Sequence, residues 1–514
     1  MREKFYLEKP SLSPSATDAP IPPYNDPPNS YILYRYRKQR GVNLGSWFAL
    51  ESWLTGSLFK NASGNKSSEK DIVEGMDPQE AKQMLESHWD HFINDGDWRW
   101  MVEHGITSVR LPIGYFHFVA GHPQARRLMK GTEYEKHAEV YEGAWSRICK
   151  AIEKARSYKI AVLVDLHGAP GAQNRDGHSG LSQGKAHLWY GSHASSNQSK
   201  TTHILVELVK AVAPYENVLG VELLNEPQNN AKLEEFYNKT IREIRKCPTI
   251  HARTIPIYLG DAWDSNHYSR YVGKNSDVNG ALVMDHHLYR CFTKQDHSMS
   301  ALEHADLLSL EPMGKTAHFL KRLCDKSQGA LIIGEWSAAM NPGSFHTCPN
   351  RREAQKAWAN AQWKAFEQFT AGYYFWTLKK EGKPDSGWCL YSAIERGVMP
   401  SSLNPLQVYG QKHSVQELES KCGEAMEPLF QRHKQYWDKQ GGRYNHDLFR
   451  VGFQLGWKDA VYFLSQGMEI GLSHRLAKLR MVSYAEQHGT KKSEWEFEHG
   501  FMQAVDAFRD HLYA

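Results

Sequence analysis

Seven cysteines are all that 514 residues contain, and they stand apart at 149, 247, 291, 324, 348, 389 and 422 with no Cys-x-x-Cys pair. An odd, scattered set argues against a disulfide framework and against a cysteine-built zinc site, and it fits reduced thiols. Long apolar runs are missing too. No stretch reaches the ~20 residues that a membrane span needs. The opening Met1-Arg2-Glu3-Lys4-Phe5-Tyr6-Leu7-Glu8-Lys9-Pro10 has no apolar core of a secretory signal, so a cytoplasmic address is expected. Nor is there an excess of one charge. The 62 basic and 58 acidic residues leave a formal +4 without a basic block, which makes nucleic acid an unexpected partner.

What the chain has is a repeat of one pattern: a short apolar run, a polar loop, then a longer amphipathic stretch. The runs lie at 41–44, 108–111, 160–165, 218–224, 255–259, 281–284, 331–333 and 373–376. Continuous apolar runs, rather than alternation, are what a parallel sheet buried on both faces requires. Eight of them predict an α/β fold, a (β/α)8 TIM barrel, carrying a C-terminal helical extension. An open doubly wound sheet is disfavoured because no Gly-rich phosphate turn follows the first run. Residues 1–30, rich in Pro, Ser and Asp, read as an extended arm over the barrel. The barrel domain is expected over 31–440, its last helix near 413–438 closing it, and a helical appendage over 441–514 after the Gly441-Gly442 break. Phe449, Phe453 and Trp457 at four-residue spacing read as a core stripe. No charged or metal-ligating residues in that tail show a spacing for chemistry. Long loops are expected at 60–80 and 168–200, on the face where barrel sites lie.

Glu226 and Glu335 each follow an apolar run directly, in Leu223-Leu224-Asn225-Glu226-Pro227 and Ile332-Ile333-Gly334-Glu335-Trp336. A carboxylate at the exit of a barrel strand points into the mouth where ligands bind. Two facing one cavity are the minimum equipment for hydrolysing a glycosidic bond, one as acid/base and one as nucleophile. That chemistry requires neither metal nor organic cofactor. The acid should carry a raised pKa while the nucleophile stays ionised. Other strand ends supply accessory groups. Arg110 is suited to holding a carboxylate charged, Asn225 to donating an amide N–H to a sugar 2-hydroxyl, and Trp376 to stacking on a sugar face. His167, His287 and Tyr289 stand at two further strand exits.

With these motifs in order, the chain resembles glycoside hydrolase family 5, in its fungal exo-β-1,3-glucanase branch. The resemblance rests on Arg40-Gly41-Val42-Asn43-Leu44-Gly45-Ser46-Trp47, Asp165-Leu166-His167-Gly168-Ala169-Pro170-Gly171, Asn225-Glu226-Pro227, Asp285-His286-His287-Leu288-Tyr289 and Gly334-Glu335-Trp336-Ser337. It implies a retaining β-glucosidase or exo-β-1,3-glucanase-like enzyme with Glu226 as acid/base and Glu335 as nucleophile. It also implies that Glu51 holds outer hydroxyls of the terminal glucose, and that β-glucan or another β-glucoside is the substrate. The departures are local. Where the glucanases carry an aromatic that clamps glucan together with a second Phe, this chain has Arg175-Asp176-Gly177-His178. The second clamp residue survives as Phe292, Ser52 replaces a Pro, and Leu378 replaces a Trp. Asp176 and its neighbours therefore offer polar contacts on the leaving-group side. Two alternatives follow: a β-glucosidase for a glycolipid, steroid or disaccharide glycoside, and a catalytically silent carbohydrate-binding protein.

Overall fold

The structure is a computed structural model that describes residues 22–276, 280–409, 413–489 and 493–513. Eight parallel strands close on themselves in sequence order, β1 (Gln39–Asn43), β2 (Ser108–Gly114), β3 (Ala161–Gly168), β4 (Val218–Glu222), β5 (Ile257–Gly260), β6 (Leu282–Leu288), β7 (Leu331–Trp336) and β8 (Gly372–Phe375). Every strand residue is buried, the inner side chains by one another and the outer ones by the helical ring. This double burial is why the apolar runs are unbroken. The ring helices carry the complementary pattern. Helix Leu233–Arg245 buries Leu233, Phe236, Tyr237, Thr240 and Ile244, the spacing of one helical face. Each predicted run is a strand, and the fold is the expected (β/α)8 barrel with a helical C-terminal region.

Register aims the site. Asn43 lies opposite Arg110 across β1–β2, and a register shift at His286/His287 sets His287 opposite Glu335 across β6–β7. Such an irregularity turns side chains toward the mouth of the barrel. Gly334 is required one residue earlier. A Cβ there would lie 1.9 Å from Asp285 Oδ2, and the Gly334 N–H donates to Asp285 Oδ1 at 2.6 Å.

Three expectations need correction. The 60–80 segment is not an open loop: Ser68 and Asp71 form a reciprocal capping box that starts helix Glu69–Gly75, and helix Pro78–His91 follows. Its remaining loop ties to the loop after β3, through Asn65 Nδ2 donating to Ser182 O (3.0 Å) and Ser182 Oγ donating to Asp71 Oδ1 (2.8 Å). The helix expected to close the barrel, Cys422–Gln440, packs instead against the tail helices Asp447–Ser465 and Glu494–Tyr513. Finally, residues 22–26 of the arm do not lie over the barrel. They rest on the tail, where Arg480 donates to Asp26 O at 3.0 Å and Ser483 to Pro22 O at 3.0 Å. Residues 1–21 lie outside the described residues.

The tail helices approach closely because glycine allows it. A Cβ on Gly452 would lie 2.0 Å from Phe497 O, and one on Gly500 would lie 2.0 Å from Phe449 O. The predicted stripe Phe449, Phe453 and Trp457 is buried between them, with Phe497, Phe501, Ala504 and Phe508. The tail also seals the lower end of the barrel. Lys38 N–H donates to Glu469 O at 2.7 Å, and Arg40 bridges Glu367 (2.8 Å) and Glu469 (2.6 Å). No described helix is long and apolar enough to cross a membrane.

Candidate active site

A cleft of about 970 Å³ opens at the C-terminal ends of the strands. Arg110, on β2 and fully buried, organises its floor. Its Nη1 donates to Asn43 Oδ1 (3.1 Å) and Glu335 Oε1 (3.0 Å), Nη2 to Asn225 Oδ1 (2.8 Å) and Nε to Glu222 Oε2 (2.8 Å). Asp165 lies 3.1 Å from the same guanidinium. One cation thus faces several carboxylates. Glu222 is accordingly pushed far up: burial is the largest cause, opposed by Arg110 and reinforced by Asp165 and Asp285. Sequence reading passed over Glu222 because it sits inside an apolar run, where one charged residue looks incidental.

Glu335 ends β7. Its Oε1 accepts from Arg110, and its Oε2 accepts from the Tyr289 hydroxyl at 2.8 Å. Glu226 follows β4 with φ +42°, a left-handed conformation that costs a non-glycine residue ~1–3 kcal/mol and that folded proteins keep mainly at functional positions. Its Oε1 accepts from His287 Nδ1 at 2.8 Å, and His178 Nε2 lies 3.7 Å from Oε2. Carboxylate oxygens of Glu226 and Glu335 and a nitrogen of His287 all lie within 4.8 Å of one another.

The protonation pattern reverses one expectation. Burial pushes the Glu226 carboxyl up, but the His287 hydrogen bond and the charges of His287, His178 and His167 outweigh it and hold the group below the usual carboxylate range. Burial lowers His287, yet Glu335, Asp285 and Glu226 together raise it well above the usual imidazole range. The shift at Glu226 thus runs opposite to the raised carboxyl expected of the acid. The opposed shifts favour the proton on His287, one hydrogen bond from Glu226.

The remaining predicted residues converge on the same cleft. His167, at the end of β3, gives its Nδ1–H to Asp165 Oδ2 at 2.7 Å, which turns Nε2 toward Asn225 Nδ2 (3.4 Å) and His178 Nδ1 (3.1 Å). Trp376 lies parallel to the His167 ring at 5.8 Å. The Glu51 carboxylate accepts from Trp53 Nε1 at 2.7 Å, and burial raises its pKa against the lowering charges of His178 and His167. Phe292 is 68% exposed at the rim, edge-on to Tyr289.

Asp176 is on the outer rim, its side chain also 68% exposed, 3.8 Å from His178 Nε2. It is His178, rather than Asp176, that reaches the centre. Burial lowers His178, but Asp176, Glu226 and Glu51 raise it to about 9. Sequence reading also missed Trp263 and Trp388, which line the cleft from the loops after β5 and β8. Trp388 packs 6.1 Å from Phe292, while Leu378, at the position of the expected second Trp, is buried in the core. The only signal for either was an isolated tryptophan in an irregular loop.

Residues 75–382 match the family profile described as Cellulase (glycosyl hydrolase family 5), and residues 418–512 match one described as Glucan 1,3-beta-glucosidase 3 C-terminal domain. The chain is 31% identical over 483 residues to glucan 1,3-beta-glucosidase 3 of Schizosaccharomyces pombe, covering 93% of this chain and 96% of that one. It is 26% identical over 532 residues to an uncharacterised glycosyl hydrolase of Saccharomyces cerevisiae, covering 99% of both. It is 27% identical to a probable glucan 1,3-beta-glucosidase A of Emericella nidulans, over 71% of this chain and 91% of the other. Among solved structures, a rutinosidase from Aspergillus niger superposes with a TM-score of 0.52 at 17% identity, over 73% of this chain and 100% of that one, a likeness of fold.

Proposed function

The chain belongs to glycosyl hydrolase family 5, and from that premise we propose a retaining, exo-acting β-glucosidase of the glucan 1,3-β-glucosidase kind that releases terminal β-linked glucose. The observation that carries this reading is the approach of Glu226 and Glu335 oxygens to within 4.8 Å. That fits the short separation of retaining enzymes, ~5–5.5 Å between carboxyl groups, better than the ~6.5–9.5 Å of inverting ones.

In this mechanism Glu335, held by Arg110 and aimed by Tyr289, attacks the anomeric carbon. The leaving oxygen is protonated through Glu226. Glu335 is the strongest charge holding the proton on His287. As that charge is consumed in the new C–O bond, the hold weakens, and the proton passes by way of Glu226 to the leaving oxygen. Glu226 then deprotonates the water that cleaves the glycosyl ester, giving glucose of retained configuration. Glu51, His167, Asn225 and Trp376 bind the terminal glucose, and the names of the relatives support a glucan as its source.

A second reading, a β-glucosidase for a compact polar aglycone, is favoured by Asp176 and His178 standing where a clamping aromatic is expected. The seven thiols, none of them in a disulfide, support a reducing, cytoplasmic setting for either substrate. The test is an aryl β-D-glucoside followed by proton NMR, with a panel of β-1,3- and β-1,6-linked oligomers. Release of β-glucose first is the expected result. Release of the α-anomer first, or no turnover on any β-glucoside, would overturn the proposal.

A further inference from the structure

A second cluster of protein ligands lies in the tail, outside everything the glycosidase reading uses. His433 is on helix Cys422–Gln440, His446 caps the start of helix Asp447–Ser465, and Glu496 is in the first turn of helix Glu494–Tyr513. Glu496 and His433 are buried, and His446 is nearly so. A single oxygen, Glu496 Oε2, faces both His433 Nε2 (2.9 Å) and His446 Nδ1 (2.8 Å). Its other oxygen accepts the Asn445 N–H at 2.6 Å. Among the described residues, no lysine or arginine lies within ion-pair distance of this carboxylate.

The outer nitrogens are equally specific. His446 Nε2 meets Asp438 Oδ1 at 3.0 Å, and His433 Nδ1 meets His499 Nδ1 at 3.0 Å. Each imidazole thus has one nitrogen turned inward and the other fixed by a partner, the support that metal-ligating histidines take, most typically from a carboxylate. The three inward atoms lie within 4.8 Å of one another. We propose that His433 Nε2, His446 Nδ1 and Glu496 bind one divalent ion of the zinc class, with Asp438 and His499 orienting the two rings. Two imidazoles and one carboxylate are an established zinc donor set, with bonds of about 2.0–2.2 Å. Inserting the ion asks the donor atoms to part by only a few tenths of an ångström. The site staples three helices of the tail, so the ion acts on the tail's stability rather than on bond cleavage.

The test uses the full-length protein, stripped with a chelator and titrated with zinc against a chromophoric competitor, alongside metal analysis of the protein as purified. Because Glu226, His287 and Glu335 also lie close together, Glu226→Gln serves as the control for binding in the barrel. One zinc per chain is expected, with a melting temperature that rises on zinc addition. His446→Gln should abolish both effects. Asp438→Asn, a surface change that should leave folding intact, should weaken binding 10–100-fold. Glu226→Gln should retain the full equivalent. No zinc bound to the folded wild type beyond that bound to His446→Gln would overturn the site, as would loss of binding in Glu226→Gln alone. Either result would leave the cluster as a hydrogen-bonded clasp.

Discussion

The two ends of the barrel treat buried charge in opposite ways. At the lower end, Arg40 is matched by Glu367 and Glu469, and Lys38 by main-chain carbonyls and Glu367. At the upper end, Arg110 faces Asp165, Glu222 and Glu335 at once, and among the described residues Asp285 Oδ2 and Glu222 Oε1 have no hydrogen-bond partner. The lower end is balanced and holds the tail against the barrel. The upper end carries more carboxylates than guanidinium charge, and Glu335, Asp285 and Glu226 outweigh burial to raise the His287 pKa beside Glu226. Charge that is neutralised in place stabilises, whereas charge left in tension is available for chemistry.

Removing a charge from each end is the sharpest way to break this contrast. Glu335→Gln should lower kcat by about 10⁴-fold or more, since the loss of a covalent nucleophile typically costs that much. It should leave the melting temperature unchanged or raised, because it relieves the crowding of carboxylates around Arg110. A calorimetric scan beside an aryl β-glucoside assay reads both. Destabilisation with activity kept would assign the upper end to folding.

Arg40→Ala should do the reverse. Breaking one partner out of a buried ion-pair network costs about 3–5 kcal/mol, so denaturant unfolding should show a loss of that size while kcat/KM stays near wild type. A variant of unchanged stability would mean that the lower end is not the tail's anchor.

His178 gives a smaller, pH-dependent effect. Its folded-state pKa is raised from 6.5 to about 9. The stability it contributes is therefore fully present below about pH 6.5 and is lost as pH rises through 9. The total is at most about 3.5 kcal/mol at ~1.4 kcal/mol per unit. His178→Asn should flatten the stability profile across that window, as followed by urea unfolding at several pH values. The smallest effect is on specificity. Asp176→Phe should improve use of laminarin oligomers by about tenfold, from one added stacking face worth ~1–3 kcal/mol. No gain would mean that Trp263 and Trp388 already serve as the clamp.

The barrel was legible because double burial imposes unbroken apolar runs, and Glu226 and Glu335 were legible because they terminate two of them. His178 was harder to place. Its loop departs from the glucanase pattern, but its reach to Glu226 depends on how that loop packs under residues 65–71. Trp263 and Trp388 carry no periodic signal at all. The His433, His446 and Glu496 cluster corrects the reading that the tail holds no ligand spacing: Glu496 is remote in sequence from the two histidines, and the packing through Gly452 and Gly500 brings its helix against the one that starts at His446. The capping box at Ser68 was readable, yet the Asn-, Ser- and Lys-rich composition around it pointed to a loop.

The assignment of Glu226 and Glu335 to opposite faces of one sugar is tested most directly by azide rescue of Glu226→Ala on an aryl β-glucoside whose leaving group needs no proton. With Glu335 as nucleophile, azide displaces it from the covalent intermediate, and the product should be β-glucosyl azide formed at a restored rate. An α-glucosyl azide, or no rescue while Glu335→Ala is rescued instead to the β-product, would contradict the account.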